Sequence, residues 1–267
     1  MRGGQVMRNF RYAVSTGGFW IGAGIMLLTF LGLSMPEWAA SRDWGVIGQP
    51  SALQLSLLPI FFGGVQLLFP FCVCTAYAAQ QVDEIRSGFM GLRLIRSNRF
   101  RYALRQLITN FMVGGLCVSG AFLLHAALCH LMALPSMPEV YESHEIPFSE
   151  GCIYAPWLSV LHGLPILLWI AAAMALTGGV WATSGLAVSV WIPDRWMIVS
   201  LPVFLYYVLN SRTVYMLTGL RIPYAADLYN DALTVPMVIS SLKYDALLLM
   251  LFALVYVMGL KRRVAHG

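Results

Sequence analysis

A cluster of acidic side chains is the first candidate site for chemistry in this sequence. Four glutamates and a histidine lie within residues 135–152, namely Glu139, Glu142, His144, Glu145 and Glu150. Carboxylates and imidazole bind divalent cations, and carboxylates also attract cationic peptides. The spacing matches no ligand pattern such as that of an EF-hand loop. The outer loop at about 135–155 is therefore predicted to be solvated, with no metal site.

Histidines and cysteines inside apolar stretches are the next candidates. His125, His130 and His162 have no carboxylate partner within an apolar run, although a proton relay would need one. Cys72 and Cys74 are two residues apart, which places their side chains about 200° apart around a helix. The thiols are predicted to pack as small buried side chains rather than to bind a metal.

Motifs for nucleotide binding and for common hydrolytic reactions do not occur in the sequence. It has no GxxxxGK[ST], HExxH or GxSxG pattern, which would mark a P-loop, a zinc protease or a serine hydrolase. The chain is therefore expected to carry no cofactor and to be no enzyme. A membrane enzyme that uses scattered residues stays open as an alternative.

The composition indicates helices that cross a membrane. Hydrophobic residues make up 59% of the chain and charged residues 11%, whereas a soluble domain has about 25% charged residues. Since roughly 20 apolar residues cross a bilayer as a helix, the apolar runs predict an all-α polytopic protein with about six spans in one domain, 1–267. The predicted spans are 17–35, 55–79, 106–134, 156–190, 197–210 and 245–260.

The distribution of basic residues predicts the orientation of these spans. If both termini are cytoplasmic, thirteen of the seventeen basic residues lie inside, as the retention of basic loops in the cytoplasm requires. The inner flanks also account for the net charge of +5, so membrane lipid and not nucleic acid is the expected polyanionic partner. Short loops and the absence of glycosylation sites favour a prokaryotic plasma membrane.

Three connecting segments have more pattern than a plain loop. Residues 1–16 predict an interfacial helix on the inner leaflet. In the cytoplasmic segment 80–106, Ile85, Phe89 and Leu92 follow helical spacing, which predicts a short amphipathic helix beginning near Asp83 and Glu84. Ser97 and Asn98 then offer a cap for the next helix. A simple basic flank remains the alternative for both segments.

The outer segment 210–244 is too apolar for a freely solvated loop, yet its apolar stretches are too short to span. Val214–Leu217 and Leu233–Ile239 are separated by charged residues and prolines. Such stretches can form re-entrant or interfacial helices where protein covers their ends. The alternative is a loop packed on its own bundle.

The cytoplasmic segment resembles the segment that follows the second span in type-2 ABC transporter permeases. The matching residues are Glu84, Gly88, Phe89, Leu92, Ser97, Asn98, Arg99 and Tyr102. The six spans, the cytoplasmic termini, the N-terminal helix and the outer segment before the last span are also similar to that family. The resemblance implies a coupling helix in which Glu84, Ile85, Gly88, Phe89 and Leu92 dock on a cytoplasmic ATPase.

The family resemblance also implies the function and the partners. The chain would be the membrane subunit of an ATP-driven exporter, with ATP and Mg²⁺ on a separate ATPase and with a second, identical or related permease chain completing a dimer. Its second and fifth spans would line a pathway for an amphipathic cargo such as a peptide, an antibiotic or a lipid-like molecule. The predicted spans have essentially no Asp, Glu, Lys or Arg away from their ends, which disfavours secondary transport. The alternative is a membrane immunity or sensor protein that binds its ligand at the outer loops.

Overall fold

The computed structural model describes 3–41, 51–61, 65–96, 98–132, 157, 163–209 and 235–266. Within these ranges the regular secondary structure is helical, with no strand. The helices are α1 Gly3–Val14, α2 Gly17–Ser41, α3 Ala52–Phe61, α4 Val65–Arg86, α5 Phe89–Arg96, α6 Arg99–Met132, α7 Leu164–Trp191, α8 Met197–Leu209 and α9 Val235–His266.

Four of the described helices have segments long and apolar enough to cross a membrane, as expected of an integral membrane protein. These segments are Gly17–Ala39, Arg99–Met132, Leu164–Trp191 and Val238–Ala265. The predicted second span falls on α3 and α4, and residues 62–64 between them lie outside the described residues. The predicted fifth span falls on α8, which has only 13 residues. The count of six spans therefore stays a prediction.

The last helix begins earlier than the sequence pattern predicts. α9 starts at Val235 and continues to His266, so the final ten residues of the predicted outer segment 210–244 belong to the same helix as the last span. Pro236 is its second residue, where a missing N–H costs nothing, and neither glycine nor proline interrupts the helix before Gly259. The separate re-entrant helix predicted around Val235–Ile239 is therefore wrong, while residues 210–234 lie outside the described part.

Glycines allow α6 and α7 to pack closely at the centre of the bundle. An added Cβ at Gly114 would lie 2.3 Å from the Cβ of Ala182, and one at Gly115 would lie 2.5 Å from the carbonyl oxygen of Ala175. Small residues at such crossings let helix backbones approach, which is the usual way that membrane helices pack. α7 also packs against α4, α8 and α9.

The predicted N-terminal helix is present as α1. Its Ala13 is fully buried in a cluster with Phe19 of α2, Tyr77 of α4 and Val113 of α6, whereas Arg8 and Arg11 are exposed. The apolar side of α1 therefore packs on the bundle and its basic side faces away. Its position at a membrane surface stays a prediction.

Contacts between arginines and neighbouring helix ends bring several basic segments to one end of the bundle. Arg86 at the end of α4 pairs with Asp194, between α7 and α8, and Arg195 pairs with Asp83. Arg263 of α9 donates a hydrogen bond to the carbonyl of Val190 near the end of α7. We call this the basic end; it contains the end of α4, α5, the start of α6, the α7–α8 turn and the end of α9.

Labelling of single cysteines tests whether the basic end is cytoplasmic. With the native thiols removed, cysteines at positions 87 and 266 should be shielded from an impermeant reagent added outside the cell. Cysteines at positions 143 and 230, which lie outside the described residues, should react because they fall in the predicted outer loops. A permeant reagent must label all four. Outside labelling of position 87 would overturn the orientation.

Candidate functional site at the basic end of the bundle

The segment predicted to be a coupling helix folds as the end of one helix and the whole of another. α4 continues through Asp83, Glu84 and Ile85 to Arg86, and the N–H of Ser87 still bonds the carbonyl of Asp83 at 2.9 Å. Gly88 then adopts φ 72°, a left-handed conformation that favours glycine and commonly ends helices. The prediction that the short helix begins near Asp83 and Glu84 is therefore wrong: it is α5, and it begins at Phe89.

The predicted docking residues consequently do not share one helix. Ile85 is partly buried and packs against the core from α4, whereas Phe89 is the first residue of α5 and is 46% exposed. Gly88 is exposed in the turn between them. Leu92 lies in α5, and its side chain is outside the described part. Of this set, Phe89 is the large apolar side chain that the structure shows available to a partner.

Glu84 faces inward and ties α5 to α4. Glu84 is only 8% exposed. Both of its carboxylate oxygens accept hydrogen bonds from Nη1 of Arg93, at 2.8 and 3.1 Å. The guanidinium of Arg93 also lies 4.8 Å from the ring centre of Phe89, within the range of a cation–π contact. Arg93 thus connects the exposed ring of α5 to a buried carboxylate of α4.

A buried polar network extends from Glu84 into the bundle. Gln106 of α6 donates hydrogen bonds to Glu84 Oε2 at 3.4 Å and to the hydroxyl of Tyr102 at 3.1 Å. The Tyr102 hydroxyl also donates to Glu84 Oε2 at 3.5 Å and accepts from Gln81 at 3.3 Å. The Tyr77 hydroxyl donates to the side-chain amide oxygen Oε1 of Gln106. The network therefore joins α4, α5 and α6 through side chains that are buried apart from the partly exposed Arg93.

Two effects oppose each other at Glu84, which lies beyond the predicted span 55–79. Burial raises the pKa of its carboxyl above the usual value, while the charge of Arg93 and the hydrogen bond from Tyr102 act in the opposite direction. A buried pair of this kind costs desolvation free energy and contributes chiefly by fixing one geometry. The arrangement can hold α5 in a defined orientation and can transmit displacement of α5 to α4 and α6.

The turn between α7 and α8 is attached to the same end of α4. Arg195 makes a bidentate pair with Asp83, at 2.8 and 2.9 Å, and Arg86 contacts Asp194 at 3.1 Å. Asp194 also accepts the N–H groups of Trp196 and Met197 at the start of α8. The N–H groups of Met197 and Trp196 hold the pKa of the Asp194 carboxyl below its usual value, and Arg86 acts in the same direction. These exposed pairs orient the turn rather than stabilise the fold strongly.

The remaining predicted sites give no second candidate among the described residues. The acidic loop 135–155 and His162 lie outside them. Within the described ranges no three His, Cys, Asp or Glu side chains gather as metal ligands. The free thiols of Cys72 and Cys74 are buried, as predicted. His125 lies 3.2 Å from the Ser34 hydroxyl and stacks on Phe30, which fits a packing role.

One buried carboxylate was not anticipated from the sequence. Asp245 is the first residue of the predicted last span, but α9 begins at Val235, and Asp245 is the eighth residue of the apolar segment Val238–Ala265. It is 8% exposed. The prediction that Asp, Glu, Lys and Arg occur only near the ends of spans is therefore wrong at this position. The apolar residues Val238, Ile239 and Leu242 before it were the signal that the helix extends further.

Comparisons of the chain with protein-family models, with curated proteins and with solved structures found no match.

Proposed function

We propose that the chain is the membrane-spanning permease subunit of an ATP-driven ABC exporter, similar to the type-2 permeases. ATP and Mg²⁺ would bind a separate ATPase, and a second permease chain would complete the translocation unit in a prokaryotic plasma membrane. The cargo would be amphipathic. The observation that carries the proposal is α5, a short helix at the basic end whose Phe89 is exposed while its Arg93 is fixed to buried Glu84.

The contacts around α5 provide a physical route for coupling. A partner that docks on Phe89 and moves α5 would act on Arg93, whose Nη1 donates hydrogen bonds to both carboxylate oxygens of Glu84. Glu84 is continuous with α4 and is hydrogen-bonded to Gln106 in α6. Movement of α5 is therefore linked to two helices of the bundle. The proposal rests on this link and not on the lack of ionisable residues in the spans, since Asp245 is one.

Purification of the tagged chain from its native membrane in mild detergent tests the proposed partner. A chain that contains a P-loop motif should be retained in a fixed ratio, and its ATP hydrolysis should change on binding. An ATPase-free preparation, in which the permease is folded, would contradict the proposal and favour the immunity or sensor alternative. Retention of a second, related permease chain would identify a heterodimer.

Replacing Phe89 with alanine should weaken retention of that ATPase about tenfold, because an exposed aromatic anchor at an interface contributes on the order of 1.5 kcal/mol. The matched control is Phe100→Ala at the start of α6, where a ring that is 67% exposed lies at the same end but outside α5. Binding of the purified ATPase to each variant in lipid nanodiscs measures the difference. Equal losses in the two variants would mean that α5 is not the docking element.

A further inference from the structure

Asp245 lies on the inward-facing side of α9, deep within the apolar part of the bundle. The buried positions of this side follow one another at helical spacing: Ser241, Asp245, Leu248, Phe252, Tyr256 and Leu260. The hydroxyl of Thr177 in α7 donates a hydrogen bond to Asp245 Oδ2 at 3.2 Å. Thr177 is 3% exposed and is the fourteenth residue of the 28-residue helix Leu164–Trp191. The contact therefore lies about 20 Å along α7 from either end.

No cationic side chain of the described residues compensates Asp245. α7 contains no ionisable residue between Leu164 and Trp191. On α9 itself, Lys243 is exposed and lies two positions away, about 200° around the helix, and in the described part Tyr244 forms no hydrogen bond with the carboxylate. α6, which also packs against α9, carries ionisable groups, but none forms an ion pair or a hydrogen bond with Asp245 in the described part. These groups are Arg99, Arg101, Tyr102, Arg105, Cys117, His125, Cys129 and His130.

We propose that Asp245 and Thr177 form a proton-binding site between α7 and α9. An ionised carboxylate taken out of water is unfavourable unless a cation or several donors compensate it, and here the described structure supplies a single hydroxyl. Binding one proton from water neutralises the carboxylate and turns it into a donor as well as an acceptor. The proton then stays on a carboxyl oxygen, and Thr177 keeps its hydrogen bond.

A bound metal ion fits the same residues poorly. Ca²⁺ takes six to eight oxygen ligands, and Mg²⁺ needs octahedral coordination. The site offers one carboxylate and one hydroxyl, with the buried hydroxyl of Ser241 one turn away on α9. A proton needs only one carboxylate oxygen, which this site supplies. This inference does not depend on an ATPase partner and would hold equally for the alternative function.

Gain and loss of the proton would alter how α7 and α9 pack. The neutral carboxylic acid suits the buried contact between the helices, whereas a carboxylate is more stable when it is hydrated. Both helices also meet at Trp181 and Phe252, whose ring centres are 5.9 Å apart. Proton binding at Asp245 is therefore expected to favour the close packing of α9 on α7, and proton release is expected to loosen this packing.

Infrared difference spectroscopy in lipid nanodiscs tests the site directly. The carbonyl stretch of a protonated carboxylic acid should appear in the spectrum of the unaltered protein, shift in deuterium oxide, respond to bulk pH and be absent from Asp245→Asn. The control Asp83→Asn removes an exposed carboxylate at the basic end and should leave the band in place. A spectrum identical in the unaltered protein and in Asp245→Asn across the whole pH range would overturn the proposal.

A second variant keeps the test decisive if Asp245→Asn does not fold. Thr177→Val removes the one hydrogen bond seen to the carboxylate and keeps the shape of the side chain. The carbonyl band should then move in frequency, because its hydrogen bonding changes, while the protein stays monodisperse. A band that is unchanged in Thr177→Val would show that the protonated group is elsewhere and would also overturn the proposal.

Discussion

Replacing Gly115 with alanine should lower the free energy of unfolding by about 3 kcal/mol, at the upper end for overpacking of a well-packed core. The added Cβ would lie 2.5 Å from the backbone oxygen of Ala175 and 3.2 Å from its carbonyl carbon. A backbone cannot rotate away as a long side chain can, so α6 and α7 must separate. Loss of the close α6–α7 contact would then expose apolar surface around Val118 and Met174.

Gly120→Ala is the matched control on the same helix. An added Cβ there meets only Leu116 Cδ1, at an ordinary contact distance of 3.8 Å, and alanine is favoured over glycine inside a helix by about 1 kcal/mol. This variant should be as stable as the unaltered protein or slightly more stable. Unfolding in mixed detergent micelles, followed by circular dichroism, measures both. Equal midpoints for the two variants would contradict the close-packing account.

Removal of the Glu84 carboxylate is expected to have an effect of similar size. Glu84→Ala should destabilise the bundle by about 3 kcal/mol, the upper end of the cost when buried donors lose their acceptor. Arg93 would lose its bidentate acceptor, and Tyr102 and Gln106 would lose a shared one. α5 should detach from α4, so that proteases cut the segment near residue 88 faster than in the unaltered protein.

A double-mutant cycle separates this pair from a general effect of charge at the basic end. Glu84→Ala combined with Arg93→Ala should cost less than the sum of the two single changes, because each single change already breaks the same pair. Asp83→Ala breaks a pair whose side chains are about half exposed, and it should change stability little. If Asp83→Ala and Glu84→Ala have the same effect, the buried network does not hold α5.

The sequence predicts where the long helices lie because uninterrupted apolar runs leave few alternatives in a bilayer. It also predicts the cap of α6: the side chain of Asn98 accepts the N–H of Phe100 at 3.0 Å, one residue after the helix begins. The basic end could be anticipated from charge alone. These features depend on composition and on local spacing, which a single sequence displays.

The helix boundary at the candidate site is harder to predict from the sequence. The preference for acidic residues at a helix start is weak, whereas the backbone conformation needed at Gly88 is a strict requirement. Acidic residues near a helix start contribute only about 0.3–1 kcal/mol, and this preference placed a helix start at Asp83 and Glu84. The turn at Gly88 is set by a backbone conformation that other residues rarely adopt. The partners of Glu84 come from α5 and α6, and no local pattern specifies Arg93, Tyr102 and Gln106 as one network.

The predicted position of the last span erred for a related reason. The polar and charged residues Ser240, Ser241 and Lys243 interrupt the apolar pattern, so the sequence predicts a span that begins only at Asp245. The structure shows Ser241 and Asp245 buried on the inward side while Lys243 points outward. An average over neighbouring residues does not distinguish a polar residue inside the bundle from one beyond the membrane.

The two ion pairs between the end of α4 and the α7–α8 turn bear on the order in which the protein assembles. Asp83 and Arg195 are separated by 112 positions, and Arg86 and Asp194 by 108. During synthesis, α4, α5 and α6 therefore leave the ribosome well before the residues that complete these pairs. Until then, the end of α4 has no such attachment to the later helices. Closure of the two pairs is accordingly a late event, which can follow only after α7 and the turn before α8 have been made.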